Sequence, residues 1–309
     1  MVSVLIPIYN QDCTSLIDAL LKQIKALDVP IEVIAIDDAS TLDKEKNKQI
    51  LTSPDCTYIE LAENIGRAAI RNKLATLAQF PYLIFIDCDT YPASDTFLAS
   101  YVQGIREQEQ LAFVLCGGYK YRDTPPLNHQ QLFRWTYGKQ REEFLAIQRN
   151  KTPYKSFSSF NFCMPKAVFS SIQFDESIVG YGHEDTWFGI ALKENGVLVK
   201  HIDNELYQVY IDETALYIEK TKNAVKNLHT LYLDTDKNTK FGDIRLMEIF
   251  KRTQKMRLCG FLKMLYGSLS SLCERNFHSN KPSLALFDMY RLGLLCAIHL
   301  DSKKQKKLF

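Results

Sequence analysis

Residues 82–90 read YLIFIDCDT. Five apolar residues run without a polar break and stop at two aspartates. An uninterrupted apolar run of this length is a strand covered on both faces, and burial on both faces marks a parallel sheet between helices. The aspartates stand at i and i+2, so strand periodicity puts both carboxylates on one side of the strand end. In parallel sheets, ligands bind beyond the carboxyl ends of the strands, and chemistry is expected there. Two hard oxygen donors suit Mg²⁺ or Mn²⁺ held against a diphosphate. The same pair also reads as turn-forming aspartates that merely end a strand.

Working outward, the pattern repeats. VSVLIPI (2–8), IEVIAIDD (31–38), TYIELA (57–62) and LAFVLCGG (111–118) are further strands. TSLIDALLKQIKAL (14–27), GRAAIRNKLATLAQF (66–80) and SDTFLASYVQGIREQ (94–108) have helical spacing between them. Alternating strands and helices give an α/β fold with a mostly parallel central sheet. The polar residues at its strand ends are Tyr9, Asn10, Asp37, Asp38, Asp87 and Asp89. From 120 to 180 the pattern loosens, with a helical piece near 130–148 and strand-like SFSSFNFCMP (156–165). VLVKHI (197–202) and ELYQVY (205–210) are strand-like, and 215–233 is helical. Polar DTDKNTK (234–240) reads as a boundary, and helix-patterned, basic sequence follows to a KKQKK tail.

Composition excludes some classes. A net charge of +2 on 309 residues gives no global attraction to nucleic acid. The eight cysteines form no C-x-x-C pair and no zinc-finger spacing, which reads as reduced, buried thiols of a cytosolic protein. The opening VSVLIPIYN has no basic n-region or cleavage site of a secretory signal. No apolar stretch is an uninterrupted membrane span; SLALFDMYRLGLLCAIHL (283–300) carries Asp288, Arg291 and His299 and reads as a helix of a core or a membrane surface.

Three further stretches carry candidate chemistry. In AIDDAS (35–40), Asp37 or Asp38 can accept from a base or ribose, or cap the next helix. In ENIGRAAIRN (63–72), Arg67 and Arg71 share a helical face, which reads either as a phosphate-facing surface or as a solvated basic one. In GYGHEDTW (180–187), two adjacent acids sit between glycines and an indole at the start of an apolar helical run. Acids in a first turn offset the helix dipole, so taken alone the pair reads first as a helix start, although adjacent side chains cannot face the same way.

In this order and spacing, VSVLIPIYN, IEVIAIDDAS, NIGRAAIRN, YLIFIDCDT and FDESIVGYGHEDTWFGIAL resemble the family 2 glycosyltransferases. The resemblance covers roughly residues 1–230 and leaves out the C-terminal 70 or so. It implies a GT-A fold: a Rossmann-like, mostly parallel sheet flanked by helices, here with a C-terminal helical extension. It implies an inverting hexosyltransferase that uses Mn²⁺ or Mg²⁺. The donor would be a nucleoside-diphosphate sugar, usually a UDP-sugar, and the acceptor a hydroxyl of a glycan or glycolipid in bacterial polysaccharide assembly. Residue by residue, it implies that Pro7, Tyr9 and Asn10 line the nucleotide pocket and that Asp38 meets the base. Asn64, Gly66, Arg71 and Asn72 match N-x-G-x-x-x-A-R-N, with Ile70 in place of its alanine. Asp87 would lie near the ribose and the metal, Asp89 would bind the metal, Asp185 would be the catalytic base, and Glu184 would hold the acceptor. Gln208 stands where relatives often carry a histidine that completes the metal site, and its amide oxygen is a hard donor.

The expected organisation is a glycosyltransferase domain over 1–233, with a nucleotide half (1–120) and an acceptor half (121–233), followed by the helical extension 241–309. The expected setting is cytoplasmic, at the inner face of a membrane through the basic C-terminal helices, with no nucleic-acid partner. Two rival readings stand beside this. A sugar nucleotidyltransferase would carry a Gly-rich basic loop where YNQDCTS (9–15) stands. A non-catalytic binder of nucleotide sugars is favoured by Gln208.

Overall fold

The computed structural model describes residues 1–49, 56–178, 180–234 and 244–305. The strands form a seven-stranded sheet in the order β3-β2-β1-β4-β8-β6-β9. Here β1 is Val2–Ile8, β2 Ile31–Asp37, β3 Cys56–Glu60, β4 Tyr82–Ile86, β6 Phe113–Cys116, β8 Asn161–Pro165 and β9 Leu198–His201. β1 pairs in parallel with both β2 and β4. β8 runs antiparallel to β4 and β6 and so interrupts an otherwise parallel sheet. A second, three-stranded sheet joins β5 (Thr90–Pro92), β10 (Leu206–Gln208) and β7 (Tyr119–Lys120) in the order β5-β10-β7.

The central strands β1, β2 and β4 are mainly apolar because both of their faces are covered. On one face Val4, Ile6, Ile84 and Ile86 pack with α1 (Thr14–Lys25) and α4 (Phe97–Arg106). On the other, Leu5, Leu83 and Phe85 pack with α3 (Arg67–Leu77), α7 (Lys166–Ile172) and α8 (Glu184–Glu194). Phe85 stacks on Phe162 at 4.6 Å and on Phe169 at 5.1 Å. Truncating such a buried ring costs about 3–5 kcal/mol. α1 shows the local logic. Asp12 Oδ1 accepts the Thr14 N–H at 3.0 Å, and Leu16, Ile17, Leu20 and Ile24 then recur at helical spacing on the buried side.

The described chain divides into two compact units. One comprises Met1–Arg122, Arg141–Val179 and Glu184–Tyr210 and contains both sheets. The other comprises Asp123–Gln140, Gly180–His183 and Ile211–Phe309. In the second, α9 (Thr214–Leu233) and α12 (Leu284–Gln305) pack together, and α12 also packs on α11 (Cys259–Phe277). Its aromatic core includes Phe133, which stacks on Phe277 at 4.7 Å and meets Phe287 edge-on at 5.0 Å. Thus α9, which the sequence reading gave to the glycosyltransferase domain, groups with the C-terminal helices. The boundary read at 234–240 lies mostly outside the described residues, as do Lys306 and Lys307 of the KKQKK tail. All eight cysteines are buried and unpaired, five in the first unit and three in the second.

Candidate active site

The first unit gathers its charged groups where β4 ends and where α3 and α8 begin. Asp87 directly follows β4, with its backbone N–H donating to the Phe160 carbonyl at 3.0 Å. Its Oδ1 receives the Arg71 guanidinium at 2.6 Å, and Arg67 approaches Oδ2 at 3.6 Å. Arg71 is 1% exposed, also donates to the Arg67 carbonyl at 3.0 Å, and lies over the Phe174 ring. A buried guanidinium is tolerable only when paired, and Asp87 is its counter-charge. Asn72, the next residue, ties this helix to the segment before the acidic pair. Its amide donates to the Phe174 carbonyl at 2.9 Å and to Glu176 at 2.8 Å, and accepts the Phe174 N–H at 3.0 Å.

Arg67 is the residue whose role the sequence did not assign. Its Nε lies 3.0 Å from Glu184 Oε1, so one guanidinium touches both the acid after β4 and the acid that opens α8. The only sequence signal was its i, i+4 spacing from Arg71. Glu184 is buried by this arrangement. Asp185 Oδ1 accepts the Thr186 N–H at 2.6 Å. Burial, with the adjacent Glu184 charge as a second cause, pushes the Asp185 carboxyl up from 3.8 to about 6, against a smaller opposing pull from the Thr186 N–H and then from Arg67 and Arg71. A carboxylate held there is poised to take a proton near neutral pH. The approach to this pair is a sharp turn, with Gly180, Gly182 and His183 all at positive φ (87°, 97° and 76°). The non-glycine His183 pays a local strain cost of roughly 1–3 kcal/mol.

Asp89 is placed differently from Asp87. Its carbonyl accepts the Val209 N–H at 3.0 Å, and its Oδ2 accepts from Gln208 Nε2 at 2.7 Å. β5 and β10 set this approach by pairing Thr90 opposite Gln208. Gln208, expected to offer its amide oxygen to a metal, here meets Asp89 through its nitrogen. Three acceptors surround its nitrogen, namely Asp89 Oδ2, the Asp89 carbonyl at 3.4 Å and the Tyr210 carbonyl at 3.0 Å. They orient the amide with its NH₂ on Asp89 in this structure. Asp87, also expected near a metal, is occupied by two guanidinium groups. Among the described residues no three His, Cys, Asp or Glu side chains gather as a metal site. The donor set thus fits a hard ion that arrives with oxygen ligands of its own, with Asp89 as the protein's carboxylate.

The other expected nucleotide residues lie around the ends of β1 and β2. Tyr9 is 53% exposed just past β1, and Pro7 lies within β1 opposite Ile36. Asn10, at φ 52°, accepts the Thr41 and Leu42 N–H groups at 2.7 and 3.1 Å and so holds the loop after β2. Asp38 accepts the Ile65 N–H at 2.7 Å and the Gly66 N–H at 3.0 Å, while Asn64 donates to its carbonyl at 3.1 Å. Asp38 and Asn64 thereby shape the turn into α3. Gly66, at φ 87°, has open space where a side chain would stand. A depression lined by Ile24, Val29 and Gln79 lies at the amino ends of β1 and β2, away from these groups.

Residues 3–169 match the sequence profile of Glycosyl transferase family 2. A hyaluronan synthase of Pasteurella multocida is 27% identical over 205 residues, covering 56% of this chain and 21% of that protein. The chain therefore spans about a fifth of that relative's length. Residues 1–349 of S. aureus TarS share the fold with a TM-score of 0.50 at 17% identity, over 98% of this chain and 91% of that one. The mannosyltransferase PcManGT from Pyrobaculum calidifontis, solved with GDP-Man and Mn²⁺, does so with a TM-score of 0.57 at 15% identity, over 96% and 85%.

Proposed function

Because the chain belongs to glycosyl transferase family 2, we propose that it transfers a sugar, with inversion, from a nucleoside-diphosphate sugar to a hydroxyl of a glycan or glycolipid. The observation that carries the reading is Arg67, whose guanidinium meets both Asp87 and Glu184 and so gathers two acidic pairs around one charge. In the reaction, the acceptor oxygen attacks the anomeric carbon from the face opposite the diphosphate. The bond from that carbon to the diphosphate oxygen breaks, and its electron pair leaves with the diphosphate. Asp185 takes the acceptor's proton, and attack from the far face inverts the anomeric centre. Glu184, buried against Arg67, holds the acceptor side. Tyr9, Pro7 and the loops fixed by Asn10, Asp38 and Asn64 form the nucleotide end. Mg²⁺ or Mn²⁺, held by Asp89 and the donor, would supply positive charge for the leaving diphosphate. The Mn²⁺ and GDP-Man bound by the Pyrobaculum enzyme support a divalent ion and a nucleotide-sugar donor here. Resemblance to the family favours UDP as the nucleotide.

A thermal-shift panel of UDP, GDP, CDP and dTDP, each with and without Mn²⁺, tests the donor. A nucleotide at about 100 times its Kd stabilises the fold by about 2.7 kcal/mol. The expected result is one responding nucleotide whose shift grows with metal. Equal, metal-independent shifts for all four would count against the reading. Sugar transfer to an acceptor by the wild-type chain excludes the non-catalytic alternative.

A further inference from the structure

The second unit carries a face that the proposed sugar transfer does not use. It is built by α10 (Arg245–Lys255), the turn that follows it and α11. On α11 the inward side is set by Cys259, Cys273 and Phe277, which are buried. Tyr266 and Phe277 on that side meet Tyr290 of α12 at 5.2 and 5.6 Å. The opposite side should be polar if it only met water. Instead Phe261 is 54% exposed, Met264 60% and Leu272 56%, with Leu269 beside them and Met256 and Leu258 leading in from the turn. Steps of three, five and three residues keep Phe261, Met264, Leu269 and Leu272 within an arc of about 140° on one side of the helix.

The charge around this stripe is one-sided. Residues 245–281 contain eight Lys or Arg against two Asp or Glu, a net charge of +6. With +2 for the whole chain, the remaining residues total −4. Lys255, Arg257, Arg275 and Lys281, at the two ends of the stripe, are exposed. The neighbouring carboxylates are engaged elsewhere: Glu274 by Tyr290 and Lys222, Asp288 by Arg291, and Asp301 by Lys263. Glu248 lies in the first turn of α10.

We infer that the outward face of α11, with the turn after α10, is a docking surface for an anionic lipid bilayer. An amphipathic helix with an apolar stripe and flanking Lys and Arg lies in the plane of the lipid headgroups, its apolar side chains reaching the acyl boundary. No described helix is long and apolar enough to cross a membrane, which fits a surface contact. Charge also selects among occupants. A symmetric contact between two copies would bring +6 against +6, whereas anionic headgroups complement the same field, each nearby Lys or Arg strengthening binding about fivefold.

The test is co-sedimentation of the full chain with phosphatidylcholine vesicles, with and without about a third phosphatidylglycerol. Binding is expected only to the anionic vesicles, and it should weaken as salt rises from about 0.05 to 0.5 M. Phe261→Ser with Leu272→Ser should lower the partition coefficient about tenfold. Arg275→Ser with Lys281→Ser should lower it about 25-fold at low salt and flatten the salt dependence. These positions are exposed, and unchanged circular dichroism confirms folding. Should the apolar pair disturb folding, the charge pair and the wild-type salt titration decide. Absence of wild-type binding to anionic vesicles at low salt overturns the inference. So does folded variants partitioning like wild type, or light scattering that shows a dimer lost in Phe261→Ser/Leu272→Ser without any vesicle binding.

Discussion

The two acidic pairs of the first unit are built differently and end up divided in the same way. Asp87 and Asp89 stand two apart at a strand end, and Glu184 and Asp185 stand side by side at a helix start. In each pair the first acid is tied to arginine: Asp87 to Arg71 and Arg67, Glu184 to Arg67. In each pair the second acid accepts hydrogen bonds from neutral groups, Asp89 from the Gln208 amide and Asp185 from the Thr186 N–H and hydroxyl. Neutralising one carboxylate lets the other sit close by without full mutual repulsion. The difference between the pairs is one of environment: desolvation raises Asp185 to about 6, the condition the proposed base needs, while the proposal gives Asp89 the task of meeting a hard ion.

The largest expected effect separates the two second acids. Asp185→Asn should lower transfer by about 10²–10⁴-fold while nucleotide binding stays near wild type. It should also raise stability. Burial lifts the folded pKa, so ionising Asp185 costs nothing below 3.8, costs more as pH rises, and reaches its full cost above about 6. Asn removes that cost. The variant should therefore gain up to about 2 kcal/mol at pH 8 and almost nothing at pH 4, read by denaturant unfolding. Asp89→Asn should lower metal-dependent turnover by about 10²-fold, with no shift in pH profile, because its loss is one of charge stabilisation. If both variants lost donor binding equally, the two pairs would not have separate tasks.

Two smaller effects sharpen the comparison. Gln208→Leu removes the donor that orients Asp89 and should weaken metal-dependent nucleotide binding about tenfold by calorimetry, with binding of nucleotide alone unchanged. The acid limb of kcat/KM for the wild type should lie near pH 6, because the proposed transfer needs Asp185 ionised. Arg67→Gln removes a positive charge that lowers the Asp185 pKa, so the limb should move to higher pH. A limb that stays in place would uncouple Arg67 from Asp185.

Much of this was legible along the chain. Both-face burial gave the sheet, and the acids at strand and helix ends gave the candidate site, because those signals are local. What stayed hidden depends on partners far apart in sequence. β8 is buried on both faces, and such a strand carries no mark of its direction, so its antiparallel pairing is invisible in SFSSFNFCMP. Arg71 and Asp87 lie 16 residues apart and meet only after β4 and α3 pack. The Gln208 side chain reads equally well as an oxygen ligand or a nitrogen donor until β10 sets it against Asp89. α9 joins the C-terminal helices through its packing, while the polar stretch after it looked like a domain edge.

The buried cysteines offer a clock. Burial raises the thiols of Cys13 and Cys116 to about 12 and Cys56 to about 11 in the first unit, and Cys296, with a nearby Cys259, to about 12 in the second. An alkylating reagent attacks the thiolate, so each site reacts only when the structure around it opens. Labelling rates read peptide by peptide then report opening free energies at eight interior points, with no probe added. One common rate would mean that the sheet and the helices open as a single cooperative unit. Two rates, divided between Cys163 and Cys259, would mean that the C-terminal helices can let go while the chemistry-bearing sheet stays closed.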